Sequence, residues 1–349
     1  MRRRRTALLL TLVAFLPGCS TSWKLRTSPP PQYPLQWPYA PNRAKVTFDR
    51  ALTGLTASAT AGRALAAIAY GAEPADANAF VLPVAAATAG DGRIAVADMG
   101  RACVHLFVPA EARYVRLTGP KQEPIRTPVS TAFDDEMRLY VSDSSGRVYA
   151  FGADGKVLFV VRSAGNSPLR RPTGLAFSKK TKRLYVADTL AHTVYGFDGK
   201  GEMVIAMGGR GDGDGQFNFP THIAWAPTGE LFVADSLNFR IQILDEQGKF
   251  LGAFGQHGDG SGDFAMPKGL AVDKDGVVYV ADSLFDVVQL FDRRGEFLLT
   301  LGRRGTDLGE FWMPAGLFID ESGNLYVSDT YNHRIQVFRI AERYAEPGR

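Results

Sequence analysis

The stretch PKGLAVDKDGVVYVADSLFDVVQLFDRRGEFLLTL, which covers residues 267–301, contains the pattern that decides the fold. It divides into four short apolar runs, rich in β-branched and aromatic residues, that are typical of β-strands. Turn sequences with Asp and Gly separate the outer pairs of runs at residues 273–276 and 292–295, and a polar loop separates the middle two. The stretch therefore predicts four short antiparallel strands in a single sheet.

This unit occurs six times along the chain, and two independent markers agree on the register. A small residue followed by Asp ends the second run of each unit, and a proline opens each unit. The prolines are Pro83, Pro128, Pro172, Pro220, Pro267 and Pro314, and the aspartates are Asp98, Asp143, Asp188, Asp235, Asp282 and Asp329. Four antiparallel strands in a repeat of this length form one blade of a β-propeller. We therefore predict an all-β protein whose residues 43–340 form a six-bladed β-propeller, followed by a C-terminal tail at 341–349.

The two ends of the propeller predict how its ring closes. The sixth unit reaches its third strand at residues 335–338, and the remaining polar residues do not supply a good fourth strand. Residues 45–52 have strand character but belong to no unit, so we predict that they close blade six as its outer strand and remove the open sheet edge. Between this strand and Pro83, residues 61–70 contain good helix formers and predict a short helix.

The repeats resemble the NHL repeat family, whose blades contain a strand-ending Asp followed by Asn-x-Arg-Ile-Gln. The best matches are residues 220–244 and 314–338, with Asn238, Arg240 and Gln242 in the first and Asn332, Arg334 and Gln336 in the second. The resemblance implies a propeller fold and leaves the activity open, because one fold hosts many functions. We predict that Arg240 and Arg334 bridge to the Asp of their own or a neighbouring blade. Contact with a ligand is the alternative, because both lie near the exposed face.

The N-terminus resembles a bacterial lipoprotein signal peptide. Four arginines at residues 2–5 precede an apolar run at 7–16, which ends in Leu16-Pro17-Gly18-Cys19 and resembles a lipobox. The resemblance implies that residues 1–18 are removed and that lipid chains on Cys19 hold the protein on a membrane outside the cytoplasm. Residues 19–42, rich in Ser, Thr and Pro, predict an extended tether.

The charge balance argues against a nucleic-acid partner. The chain has 40 Lys and Arg against 36 Asp and Glu, but four of the arginines belong to the signal peptide. The remainder is formally neutral and lacks the excess positive charge that nucleic-acid binding proteins use to replace counterions.

His222 is the most informative single residue for a site in the central channel. The sequence around Pro220 and His222 resembles one blade of the NHL-type peptidyl-hydroxyglycine lyases, in which histidines from several blades hold zinc. The equivalent positions in the other blades are Ala85, Ser130, Gly174, Gly269 and Gly316. Because a catalytic zinc needs about three protein ligands, we interpret His222 as a polar residue that lines the channel.

Two further patterns invite a metal and have simpler explanations. The six strand-ending aspartates are spread symmetrically over the blades, and an Asp in this position commonly bonds to nearby backbone N–H groups. The Asp- and Gly-rich segments at residues 212–215 and 258–260 resemble parts of calcium loops, but no Glu follows at the twelfth position. We therefore predict no metal, no cofactor and no catalytic residue.

Together these patterns predict a lipid-anchored β-propeller that acts as a non-catalytic binding or scaffold protein in the bacterial cell envelope. The loops between strands two and three and the crossovers between blades share one face, which is the expected binding surface. His222, Arg240 and Arg334 are the candidate ligand-face residues, and the expected partner is a protein, peptide or glycan. The alternative is a metal-dependent lyase or lactonase with its site in the channel.

Overall fold

The structure is a computed structural model, and it describes residues 21–58 and 78–341. The predicted signal peptide at 1–18, the lipidation residue Cys19, the helix predicted at 61–70 and residues 342–349 lie outside the described residues.

Three strands precede the first blade. They are β1 (Trp23–Thr27), β2 (Gln36–Trp37) and β3 (Val46–Ala57). Both β1 and β2 pair with β3 in antiparallel fashion.

Each of the first three blades is a four-stranded antiparallel sheet in chain order. Blade one contains β4 (Pro83–Thr88), β5 (Ile94–Asp98), β6 (Cys103–Val108) and β7 (Arg113–Leu117). Blade two contains β8 (Pro128–Phe133), β9 (Leu139–Asp143), β10 (Arg147–Phe151) and β11 (Val157–Val161). A small hairpin of β12 (Ser163–Ala164) and β13 (Ser167–Pro168) leads to blade three, which contains β14 (Pro172–Ser178), β15 (Arg183–Asp188), β16 (Thr193–Phe197) and β17 (Met203–Gly208).

The remaining blades repeat this plan. Blade four contains β18 (Pro220–Trp225), β19 (Leu231–Asp235), β20 (Arg240–Leu244) and β21 (Phe250–Phe254). Blade five contains β22 (Pro267–Val272), β23 (Val278–Asp282), β24 (Val287–Phe291) and β25 (Phe297–Leu301). Blade six contributes β26 (Pro314–Ile319), β27 (Asn324–Asp329) and β28 (Arg334–Ile340) from the end of the chain. Short 3-10 helices occupy Met99–Arg101, Pro109–Glu111, Thr189–Ala191, Ser236–Asn238 and Thr330–Asn332.

The strand composition follows from the packing of blade against blade. The second strand of blade four, β19, is buried at every position, and so is β23 in blade five. Neighbouring blades cover both faces of these sheets, so their sequences are continuous apolar runs. The outer strands β21 and β25 instead alternate between covered and exposed positions.

The strand-ending aspartates hold the chain that enters each blade. Asp188 is fully buried and accepts the backbone N–H groups of Arg170 at 2.7 Å and Arg171 at 2.8 Å. Asp98 accepts those of Val81 and Leu82 in the same way. Each carboxylate therefore fixes the start of the innermost strand of its own blade, which explains its repetition.

In blades three to six, the hydroxyl group of the residue that follows this Asp donates a hydrogen bond to the next blade around the ring. Ser236 Oγ donates to the carbonyl oxygen of Pro267 at 2.6 Å, and Thr330 Oγ1 donates to that of Pro83 at 3.0 Å. Thr189 and Ser283 make the equivalent bonds from blades three and five. Because Thr330 reaches blade one, the sixth seam closes the ring with the same bond as the seams that follow blades three, four and five.

The N-terminal strand closes blade six, as predicted. Strand β3 pairs with β28 from Leu52 opposite Ile335 to Val46 opposite Ile340. Blade six therefore consists of β26, β27, β28 and β3, with β1 and β2 bonded to β3.

Over residues 21–42 the structure differs from the predicted tether. Strand β1 adds a further strand beside β3, and Trp23 N donates to the carbonyl oxygen of Ala112 in blade one at 2.7 Å. Trp37 is 3% exposed and packs edge-on against Phe338, with ring centroids 5.6 Å apart. The Pro-rich composition of this segment disfavours an independent helix or sheet. It still allows short strands of the segment to pair with the edge of an existing sheet.

Candidate functional site

The face that carries the loops between strands two and three exposes large apolar side chains at equivalent positions of four consecutive blades. Leu190, Leu237, Leu284 and Tyr331 are 40%, 47%, 57% and 47% exposed. Trp312 stacks beside Tyr331 with ring centroids 5.5 Å apart and is itself 42% exposed. We call these five residues the apolar crescent. Each of its loop residues follows the buried Ser or Thr that joins the blades, so the joint holds the apolar side chain outward.

Arginine side chains lie among the loops of this face. Arg170 is exposed and donates to the carbonyl oxygen of Leu190 at 3.2 Å. Arg304, on the crossover between blades five and six, is also exposed and lies 3.7 Å from Asp286. The apolar crescent therefore has charged neighbours, as in the polar rim of many protein interfaces.

Arg240 and Arg334, two of the candidate ligand-face residues, bond within the protein. Arg240 Nε lies 2.9 Å from Asp235 Oδ2, and its Nη2 donates to the carbonyl oxygens of Gly213 and Gln216. Arg334 is buried and makes the same set of bonds in blade six, to Asp329 and to the crossover carbonyls. Both guanidinium groups tie a crossover to the Asp of their own blade.

His222, the third candidate, lies on the innermost strand β18. It is 6% exposed, and its Nδ1 has no hydrogen-bond partner among the described residues. Burial, together with the positive charge of Lys268, lowers the pKa of His222 to about 4, so the imidazole is neutral at pH 7. A Cβ built at Gly174, on the adjacent strand β14, would lie 2.6 Å from the Cα of His222. The innermost strands of blades three and four are therefore in close contact at this level.

Lys268 and Arg171 are channel residues that inspection of the sequence did not single out. Lys268 is the second residue of β22, and Arg171 directly precedes β14. The repeats themselves distinguish Lys268 from its equivalents. The same position in the other five blades holds Val84, Val129, Thr173, Thr221 and Ala315. Lys268 is therefore the one charged residue at a position where the other blades have small or apolar residues, and this difference indicates a site.

The structure thus brings His222 together with Lys268 and keeps both apart from Arg240 and Arg334. The first pair belongs to the innermost strands around the channel, whereas the two arginines belong to third strands and their crossovers. Within residues 21–58 and 78–341, no group of three or more His, Cys, Asp and Glu side chains is arranged to hold a metal ion.

A second polar cluster lies inside blade one, with Cys103, His105 and Asp98 all buried. The His105 Nε2 lies 3.4 Å from Asp98 Oδ2 and 3.7 Å from Cys103 Sγ, while Nδ1 lies 2.9 Å from the Tyr114 hydroxyl. One ring nitrogen, Nε2, thus faces both the thiol and the carboxylate. In a nucleophilic triad one nitrogen of the histidine bonds to the nucleophile and the other to the carboxylate, so this cluster does not have the geometry of a triad. The cluster instead supports the blade-one Asp from within the core.

The comparisons with known proteins agree with this architecture. The NHL repeat model matches residues 264–283 and 311–338. No curated protein matches the sequence. In the part of the chain that the structure describes, no helix is long and apolar enough to span a membrane.

Solved structures with the same fold include enzymes. A virginiamycin B lyase from Staphylococcus aureus has a TM-score of 0.56 at 9% identity and covers 75% of this chain and 96% of its own. A gluconolactonase from Xanthomonas campestris has a TM-score of 0.57 at 16% identity, with 75% and 87% covered. A Bacteroides thetaiotaomicron protein of unknown function has a TM-score of 0.57 at 15% identity, with 75% and 70% covered. At these identities the likeness shows the fold alone. The chain is therefore a six-bladed β-propeller that carries NHL repeats.

Proposed function

We propose that this protein is a lipid-anchored binding propeller of the bacterial cell envelope, and that the apolar crescent is the surface that docks its partner. The observation that carries the proposal is the exposure of Leu190, Leu237, Leu284 and Tyr331 at one equivalent loop position of four successive blades. Single exposed apolar residues are normal on a protein surface, but their repetition at one loop position on one face favours an interaction site.

A protein or peptide partner fits the crescent better than a glycan does. Leucine, tyrosine and tryptophan side chains gain most from burial against other apolar groups, and aromatic residues with arginine are enriched at protein interfaces. Arg170 and Arg304 beside the crescent supply charged neighbours of this kind. The regular repeat also keeps these side chains on rigid joints, which limits the entropy lost on binding.

The second candidate function is a metal-dependent lyase or lactonase with its site in the channel. The folds of the virginiamycin B lyase and the gluconolactonase bring this alternative forward. Against it stands the residue set at the level of His222, where the other five blades supply Ala, Ser or Gly, and none of these is a good zinc ligand. Stoichiometric zinc or calcium in the purified protein, lost on His222→Ala, would favour the enzyme over the binding protein.

Cross-linking in native membranes tests the docking surface. A photo-reactive amino acid at Leu237 is expected to give a discrete adduct, whereas one at Leu251, equally exposed on an outer strand, gives none. Leu284→Arg should lower the yield of that adduct tenfold or more, which corresponds to about 1.4 kcal/mol of binding free energy.

The matched control is Leu298→Arg, which places the same charge on an exposed leucine of the outer strand β25. It should leave both the adduct and the melting temperature unchanged. If the two arginine variants behave alike, or if the adduct forms equally well from Leu251, the apolar crescent is not the docking surface.

Lipidation at Cys19 is tested separately by metabolic labelling with a palmitate analogue. The label should be incorporated into the wild-type chain, lost in Cys19→Ala and retained in Cys103→Ala, because Cys103 is buried in the propeller. A Cys19→Ala chain that keeps the label would contradict the anchor and leave the docking surface untouched.

A further inference from the structure

Three basic side chains from consecutive blades lie at one end of the channel. Arg171 precedes β14 of blade three, His222 is the third residue of β18 in blade four, and Lys268 is the second residue of β22 in blade five. The strands that carry them are in contact: Thr221 Oγ1 donates to the carbonyl oxygen of Lys268 at 3.4 Å, and Gly174 abuts the backbone of His222. The three residues are therefore neighbours around the channel mouth.

The positive charge at this mouth is uncompensated. Neither Lys268 nor Arg171 makes a side-chain hydrogen bond or ion pair among the described residues. Other lysines of the protein pair with acids, for example Lys180 with Glu246. Burial and the charge of Arg171 lower the pKa of Lys268, and the charge of Lys268 adds to the burial that lowers the pKa of His222. The two positive charges of Lys268 and Arg171 repel each other when the site is empty. An anion bound between them would relieve this repulsion.

The channel mouth also holds a buried hydrogen-bonding group without a partner. His222 Nδ1 is excluded from solvent and unbonded, although the great majority of buried polar atoms in folded proteins are paired. On the flanking innermost strands the positions equivalent to His222 are Gly174 and Gly269, so neither strand adds a side chain at this level. The imidazole is neutral and lies close enough to Lys268 to sense its charge, so its resonances report on an anion that binds there.

We propose that the channel mouth formed by Arg171, His222 and Lys268 is a binding site for an anionic oxygen group, a carboxylate or a phosphate, of a small ligand. Lys268 and Arg171 supply charge-assisted hydrogen bonds, and the neutral ring of His222 lies beside Lys268. The site uses different side chains from the apolar crescent and does not depend on lipidation, so the variants that test it are distinct from those that test the proposed function.

The proposal carries a definite dependence on pH. An anion binds the charged form of Lys268, which is the protonated form. Affinity is therefore greatest below the lowered pKa of Lys268 and falls as the pH rises through it, with proton uptake on binding near that pKa. A site made only of arginine would show no such fall, because arginine stays charged throughout.

The experiment titrates inorganic phosphate and, in a second arm, acetate into the full chain purified in detergent at low chloride. Calorimetry gives the affinity, and the imidazole nitrogen resonances of His222 report the site directly. The His222 resonances should shift with the anion while those of exposed His257 stay in place. The arm with the higher affinity distinguishes a phosphate ligand from a carboxylate ligand.

Lys268→Met should weaken binding tenfold or more, Lys268→Arg should retain it, and Arg171→Gln should weaken it severalfold. The matched control is Lys200→Met, which removes one lysine from an exposed turn between β16 and β17. Arg171 is exposed, so we expect Arg171→Gln to fold normally. It therefore tests the proposal even if Lys268→Met does not fold. Equal affinities of wild type and Arg171→Gln, or His222 resonances that neither anion moves, would overturn the proposal.

Discussion

At the scale of single residues, equivalent buried aspartates are held by different partners in different blades. In blades four and six, Asp235 and Asp329 accept from the amide groups of Gln242 and Gln336 at 3.0 and 2.9 Å. In blade one the equivalent position holds His105, whose imidazole lies 3.4 Å from Asp98. An amide does not titrate in the physiological range, whereas an imidazole does, so of these three blades only blade one couples its buried aspartate to pH.

The substitution His105→Gln tests this coupling. Burial is the largest single influence and lowers the pKa of His105, but the interactions with Asp98 and Cys103 together outweigh it, so the pKa is raised above 6.5. A histidine whose pKa is higher in the folded state stabilises the fold in its protonated form. This stabilisation is complete at pH values below the pKa of the unfolded chain, and it is lost as the pH rises through the pKa of the folded protein. We expect the wild type to lose about 1 kcal/mol of unfolding free energy across that window. His105→Gln should show a smaller change.

The readout for His105→Gln is urea unfolding at a series of pH values around and above neutrality. His257→Gln, at an exposed loop position, is the control and should keep the slope of the wild type. Identical pH profiles for wild type and His105→Gln would show that Asp98 does not couple the histidine to stability.

At the scale of secondary-structure elements, the Asn-x-Arg-x-Gln motif acts as a lock for the glycine-rich crossovers. Asn238 donates to the carbonyl oxygen of Gly211 at 2.9 Å, Arg240 to that of Gly213 at 2.8 Å, and Gln242 to that of Gln216. Asn332, Arg334 and Gln336 repeat these bonds in blade six. The carbonyl oxygens that a calcium loop would turn toward an ion are thus bonded to side chains of the third strand.

The N-terminal strands are the elements in which the structure departs most from the predicted tether, and Trp37→Ala measures the difference. Trp37 packs against Phe338, and a Cβ at Gly309 would lie 2.7 Å from its ring. Loss of this buried indole should lower the unfolding free energy by about 3–5 kcal/mol. The measurement is urea or thermal unfolding of the full chain.

Tyr33→Ala is the matched control for Trp37→Ala, because Tyr33 is an aromatic residue of the same segment that is 77% exposed. It should change the unfolding free energy by no more than about 0.5 kcal/mol. If both variants are as stable as the wild type, the segment does not contribute to the fold.

At the scale of the whole molecule, blades three to six share features that blades one and two do not repeat. Blades three to six share the hydroxyl joint, through Thr189, Ser236, Ser283 and Thr330, and the same four blades carry the apolar crescent. Arg171, His222 and Lys268 also belong to blades three to five. Both proposed binding sites therefore lie on the part of the ring whose loops are held in the most uniform geometry, which suits a preorganised surface.

The N-terminal strands carry the closure of the ring. Strand β3 completes blade six, and β1 beside it reaches blade one through the Trp23 backbone and through Trp23 packing on Tyr114, with ring centroids 4.7 Å apart. The seam between the last and first blades is thus crossed both by the Thr330 bond and by the N-terminal segment. A ring closed at one seam by noncovalent contacts alone gains stability from such a second connection.

The repeat pattern by itself determined the number of blades, the starts of their innermost strands and the closing role of residues 45–52. These features depend on local periodicity and on turn residues, both of which a single unit such as residues 267–301 displays in full. Only the tertiary structure decided that residues 23–27 and 36–37 join the sheet, because short strands without periodicity depend on the edge that receives them. Only the closed ring also placed Arg171, His222 and Lys268 together. Each belongs to a different blade, so their proximity arises from the arrangement of blades around the channel and not from any spacing along the chain.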